Sequence, residues 1–105
     1  MLKVLLEFRK GILFVRLYGE LDKTTIIVFQ TEVREVILKT GILYVVLNIR
    51  GLRKISKEGI LEIKKLKELL SKTEGELFLH GGEIKQLKSL IKLESELNVF
   101  ERIVI

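Results

Sequence analysis

Ile42-Leu43-Tyr44-Val45-Val46-Leu47-Asn48-Ile49 is the stretch that decides the fold. It is apolar almost throughout and β-branched in part, without the polar alternation of a strand that has one wet face. A strand that reads this way is buried on both sides, the situation in the middle of a parallel sheet covered by helices. Its flanks agree. Upstream, Asp22, Thr24 and Thr25 offer N-cap oxygens to a helix whose apolar residues fall at Ile26, Phe29, Val33, Val36 and Ile37, one buried stripe. Thr40-Gly41 ends that helix, Gly41 being suited to a left-handed C-cap. Downstream, Arg50-Gly51-Leu52-Arg53-Lys54-Ile55 reads as a loop. Ser56 then reads as the N-cap of a second helix carrying Ile60, Ile63, Leu66, Leu69 and Leu70 inward, with Glu62, Lys64, Lys65, Lys67 and Glu68 on its outer side.

Working outward, residues 2–9 and 11–18 read as two strands joined at Lys10-Gly11, a β-hairpin in which Ile12, Phe14, Arg16 and Tyr18 alternate with Leu13, Val15 and Leu17. Gly19 closes the second strand. Beyond the second helix, Lys72-Thr73-Glu74-Gly75 is a turn, Leu77-Phe78-Leu79 a short strand, and Gly81-Gly82 its end. A third helix is expected from about Glu83 to Leu97, and a final strand at Arg102-Ile103-Val104-Ile105. The order β-β-α-β-α-β-α-β predicts one α/β domain over residues 1–105, a mostly parallel, mixed sheet begun by a hairpin and reached by right-handed crossovers.

The 105 residues suffice for one compact domain, and 48% hydrophobic with 31% charged residues excludes a disordered chain. The absence of cysteine excludes disulfides, a thiol nucleophile and cysteine zinc sites; the single histidine excludes a multi-histidine metal site. No apolar run approaches the roughly 18 residues of a membrane span, and Lys3 and Glu7 interrupt any secretory h-region, so a cytoplasmic protein is expected. Nineteen Lys and Arg against fourteen Asp and Glu give a net charge of +5, which permits an anionic partner without requiring one. From Val36 to Lys57 there is no acidic residue, while Lys39, Arg50, Arg53, Lys54 and Lys57 are basic.

Gly19-Glu20-Leu21-Asp22 followed by Thr25, Val46-Leu47-Asn48-Ile49 followed by Leu52 and Gly59-Ile60, and Gly75-Glu76 followed much later by Asn98-Val99 and Ile103 come in an order and spacing that resembles the STAS domain. The similarity is greatest to the bacterial anti-anti-sigma factors and spans essentially the whole chain. What the resemblance implies is a domain that acts by binding a protein. In that family a D-S-S-G loop before the second helix presents a serine that an anti-sigma kinase phosphorylates; the unphosphorylated domain binds the anti-sigma factor and the phosphorylated one releases it. A phosphate adds about −1.5 to −2 charges, enough to break a close-packed interface. Aligned on Gly59, this chain has Ser56-Lys57-Glu58-Gly59, with Ser56 at the family's aspartate and Lys57 at its acceptor serine. Lysine cannot take that phosphate, so the switch in its usual form is expected to be absent. The third helix is also longer than usual, the family's closing helix has no counterpart in these residues, and the loop is basic where the family's is acidic or neutral.

The expected partner surface comprises Asp22, Thr24, Thr25, Arg53, Lys54, Ser56, Lys57, Glu58 and Gly59, and the expected partner is a protein, an anti-sigma factor or serine kinase. Each residue has a plainer reading. Ser56 is first an N-cap, worth about 0.5–2 kcal/mol, and only second a displaced phospho-acceptor in a basic setting. Lys57 opposes the helix dipole by about 0.3–1 kcal/mol, a penalty offset by Glu58. Arg50, Arg53, Lys54 and Lys57 form either a solvated basic loop or an anion site at a helix N-terminus. Asp22 equally caps the first helix, and His80 reads as a strand-end residue. No nucleophile–base pair, paired carboxylates or metal-ligand spacing points to an enzyme or a cofactor. The alternatives are a basic-loop binder of nucleic acid or another anion, against which no aromatic interleaves the basic residues, and a homodimer or scaffold built on the exposed edge of the terminal strand.

Overall fold

A computed structural model describes residues 1–81 of the chain. The sheet has four strands in the order β1-β2-β3-β4: β1 (Leu2–Arg9), β2 (Ile12–Leu21), β3 (Tyr44–Ile55) and β4 (Glu76–His80). β1 and β2 are the expected hairpin, antiparallel from Leu2↔Gly19 to Arg9↔Ile12 without a slip. Its turn residues Lys10 (φ 47°) and Gly11 (φ 85°) both take positive φ, the conformation whose twist matches the strands it joins. β2 with β3 and β3 with β4 are parallel. β3 is therefore central, as its apolar run predicts. The third helix expected from Glu83 and the strand Arg102–Ile105 lie outside the described residues.

The two faces of the sheet follow the alternation along each strand. Leu13, Val15 and Leu17 of β2, Val45, Leu47 and Ile49 of β3, and Leu77 and Leu79 of β4 join one core with Phe29, Val33, Ile37, Ile63, Leu66 and Leu70 of the helices. Ile12, Phe14, Val46 and Phe78, at the intervening positions, form a second buried cluster on the opposite face. Val45 and Val46 are thus both buried though adjacent, the signature of a strand covered on two sides. No helix among the described residues is long and apolar enough to cross a membrane.

The first helical segment runs as α1 (Ile26–Phe29), a π turn (Gln30–Arg34) and α2 (Glu35–Thr40), and Gly41 ends it in the expected left-handed conformation at φ 71°. Its buried residues are Phe29, Val33 and Ile37, spaced by four. In a regular α-helix eight residues overshoot two turns by about 80° and would swing Ile37 off the core. The wider π turn takes up that excess. Val36, expected in the buried stripe, is only half-buried as a result.

Three further expectations are corrected. The segment 50–55 is strand, not loop: β2 continues past Gly19 to Leu21, and β3 follows it with Tyr18↔Gly51, Gly19↔Leu52, Glu20↔Lys54 and Leu21↔Ile55. Two register shifts break the period-2 pattern, which is why Arg53 and Lys54 are both exposed though consecutive, and why the sequence carries no alternation there. Glu62 is not on the outer side of α3 (Lys57–Lys72) but buried at 3% exposure, whereas Lys65 and Glu68 do face solvent. Finally, no side chain caps α1: its N-cap residue Thr25 makes no capping bond, and the oxygens of Asp22 and Thr25 are spent on the turn before it.

Candidate functional site

The turn after β2 is held by its own polar side chains. Asp22 Oδ1 accepts from the Thr24 N–H at 2.9 Å and from the Thr24 hydroxyl at 2.6 Å. The Asp22 N–H donates to Thr25 Oγ1 at 3.0 Å, and that hydroxyl donates in turn to the Glu20 carbonyl at 2.8 Å. Thr25 is therefore buried, whereas Lys23 and Thr24 are exposed at the tip. Such self-bonding is the ordinary use of Asp and Thr in turns.

The start of α3 docks directly beneath this turn. The Ser56 N–H donates to the Leu21 carbonyl at 2.9 Å, and Ser56 Oγ accepts from the Gly59 N–H at 3.3 Å, the N-cap expected from the sequence. Gly59 is buried, and a Cβ there would lie 2.7 Å from the Leu21 carbonyl oxygen and 2.9 Å from Leu21 Cγ. Only glycine lets the first turn of α3 approach the end of β2 this closely. Lys57 is exposed and Glu58 half-buried beside it.

Charges of both signs interlock across the two segments. Glu20 pairs with Arg53 and with the Met1 amino group, and these contacts, the amino group first, hold its carboxyl below the ordinary carboxylate range. The Thr24 hydroxyl chiefly, then the Thr24 and Thr25 N–H groups and the charge of Lys54, lower the Asp22 carboxyl. Glu58 is lowered first by its own N–H at the helix start, then by Ser56, with smaller contributions from Lys23 and Lys57. The basic stretch is thus matched by Glu20, Asp22 and Glu58.

All nine sequence-derived residues lie in or beside this corner, at the end where β2 and β3 finish together. Thr25 and Gly59 are buried, whereas Thr24, Arg53, Lys54 and Lys57 are exposed. Glu20 and Lys23 belong to the same charge network and were missed: Glu20 lies on a strand extension that the glycine before it concealed. His80 ends β4 opposite Asn48, away from the corner. A second buried polar feature lies between the helices, where Glu62 accepts from Gln30 Nε2 at 2.7 Å and pairs with Arg34 at 3.5 Å and Lys65 at 3.7 Å. The π turn supplies Gln30 and Arg34 to it. Among the described residues, no group of three or more His, Asp or Glu is placed to hold a metal ion.

The family model of the STAS domain matches residues 3–103, so the chain belongs to the STAS domain family. Solved structures agree in fold. The anti-sigma factor antagonist SpoIIAA in its unphosphorylated form superimposes with a TM-score of 0.74 at 17% identity, over 96% of this chain and 97% of that one. The Bacillus cell fate determinant SpoIIAA in its phosphorylated form gives 0.71 at 17%, over 96% and 99%. An anti-sigma factor antagonist from Mycobacterium paratuberculosis gives 0.70 at 15%, over 99% and 83%. At these identities the likeness is one of fold. No curated protein matches the chain.

Proposed function

We propose that this STAS domain is a cytoplasmic, non-enzymatic regulator of the anti-sigma factor antagonist kind, which binds an anti-sigma factor or serine kinase through the corner formed by the Asp22–Thr25 turn and the first turn of α3. The observation that carries this reading is the joining of the two segments through Leu21: its carbonyl accepts from Ser56, and its side chain and carbonyl leave room only for Gly59. The two segments are packed directly on each other at this corner, and Thr24, Arg53, Lys54 and Lys57 stand out from it. Lys57 occupies the place at which the family's acceptor serine is expected, so occupancy is set by concentration and by the state of the partner rather than by a phosphate at that residue. The interlocked carboxylates weigh against nucleic acid as the partner, because several phosphate contacts would each need an uncommitted cation.

The test is titration of the purified chain with an anti-sigma kinase of its source organism, with and without ATP. Binding is expected in both conditions, no phosphate appears at residue 57 by mass spectrometry, and Lys57→Asp weakens binding at least about tenfold, as loss of a central charged contact does. Equal affinity of Lys57→Asp and wild type would refute the placement of the surface.

A further inference from the structure

We infer that β1 is a self-pairing edge through which two copies of this chain join their sheets into one. β1 is the outermost strand, paired to β2 on one side only among the described residues. Edge strands are ordinarily blunted by shortness, proline or charge. β1 is eight residues long and lacks proline, and its Leu5, Leu6 and Phe8 are 43%, 42% and 59% exposed.

The hairpin dictates which backbone groups face outward. Its two-residue turn closes on Arg9↔Ile12, so Arg9 and the alternate residues Glu7, Leu5 and Lys3 direct their N–H and C=O groups to β2. Leu2, Val4, Leu6 and Phe8 therefore direct theirs to the free edge. Two antiparallel copies hydrogen-bond across that edge only when even-numbered residues oppose even-numbered ones. With opposed residue numbers summing to ten, Lys3 faces Glu7 of the second copy and Glu7 faces its Lys3, on either side of Leu5 against Leu5 on the two-fold axis. On the other face Leu2 meets Phe8 and Val4 meets Leu6, covering the exposed apolar groups. The Lys3–Glu7 contacts fall at non-hydrogen-bonded positions, where opposed side chains are nearest. A sum of twelve would oppose Lys3 to Arg9, like charges, and a sum of eight would shorten the pairing and leave Lys3 opposite Leu5. Charge and hydrogen-bond parity select the same register. The charges that would guard the edge, Lys3 and Glu7, are matched by Glu7 and Lys3 of an identical strand, Glu7 keeping a half-exposed carboxylate beside Arg9 and Arg16 of its own chain, so the occupant that fits is a second copy.

Sedimentation equilibrium from micromolar to millimolar chain concentration tests this. The wild-type mass is expected to rise from one chain to two. Glu7→Lys or Lys3→Glu turns two attractive pairs into two repulsive ones and is expected to weaken the dimer roughly tenfold or more, while the double reversal restores it to within about threefold of wild type. Both positions are exposed, and unchanged circular dichroism will show that the fold persists. A chain that stays monomeric throughout, or a dimer that ignores the single reversals or is not restored by the double one, would overturn the inference.

Discussion

Gly59→Ala pits the two physical effects that meet at the corner against each other. By helix propensity alone the substitution is favourable, because alanine exceeds glycine inside a helix by about 0.8–1 kcal/mol. Against it, the new methyl would sit 2.7 Å from the Leu21 carbonyl oxygen, 2.9 Å from Leu21 Cγ and 3.1 Å from Ile55 Cγ1. Leu21 is fully buried and its carbonyl already accepts from Ser56, so neither obstacle has anywhere to go. Overpacking of this sort costs about 1–3 kcal/mol, and the immobile backbone oxygen places this case in the upper part of that range. The net expectation is a destabilisation of about 1–2 kcal/mol, or a fall in melting temperature of about 5–15 °C for a domain of this size. Thermal unfolding by circular dichroism reads it directly, with Lys64→Ala as the control in the same helix. The sign decides. A Gly59→Ala variant as stable as wild type, or more so, would mean that propensity wins and that α3 does not rest on the end of β2, and the account of the corner would fall with it.

Further expectations concern the polar groups around the core and the corner. Ser56→Ala removes the N-cap and is expected to cost about 0.5–2 kcal/mol in chemical denaturation, with Ser56→Asp restoring most of it. Glu62→Ala strands Gln30 and Arg34 and is expected to cost about 1.5–3 kcal/mol, less than for a fully enclosed pair because Arg34 is 31% exposed. A Gln30→Ala, Glu62→Ala double variant should lose less than the sum of the single ones. Glu20, Asp22 and Glu58 are lowered from ordinary values of 4.5, 3.8 and 4.5, so their carboxylates favour the folded state at neutral pH. That contribution is complete above the ordinary values and is lost as the pH falls through the lowered ones. Denaturant midpoints should therefore drop below about pH 4.5, and less steeply in Arg53→Ala, which has lost one of the contacts that lower Glu20.

The parts of this fold that were legible in the sequence are those in which one periodicity runs undisturbed. Residues 42–49 announced a central strand because Asn48 is the one strongly polar residue among them and no alternation appears, and Ser56 announced a helix start because its side chain has one dominant use there. The corrections fall where two requirements share a residue. Gly19 and Gly51 look like the ends of strands, yet the chain stays extended through both. The two bulges that let β3 track β2 erase the alternation by which the extension would have been seen. Glu62 lies on the inward stripe of α3 by position, three residues after Gly59 and four before Leu66, but its charge argued for the outside. Only its partners Gln30 and Arg34, some thirty residues away and brought round by a π turn, make burial tolerable. Nothing local in the sequence signals that turn except the spacing of Phe29, Val33 and Ile37.

The same sharing governs how the corner will respond to mutation. The turn after β2 and the first turn of α3 depend on each other through Leu21, and the charges of Glu20, Asp22, Lys23, Arg53, Lys54, Lys57 and Glu58 form one neighbourhood rather than independent contacts. Lys57→Asp shows the consequence. At the first turn of a helix an acidic residue in place of a basic one is favoured by the dipole, by about 0.3–1 kcal/mol per charge at an exposed site. It also sets a new carboxylate beside Glu58 and takes away a cation that helps lower that group. The helix gain and the lost neighbour oppose each other, so the variant's stability should stay within about 1 kcal/mol of wild type. A loss of partner binding in that variant would then report the surface and not the fold, which makes Lys57 the most informative single position at this corner.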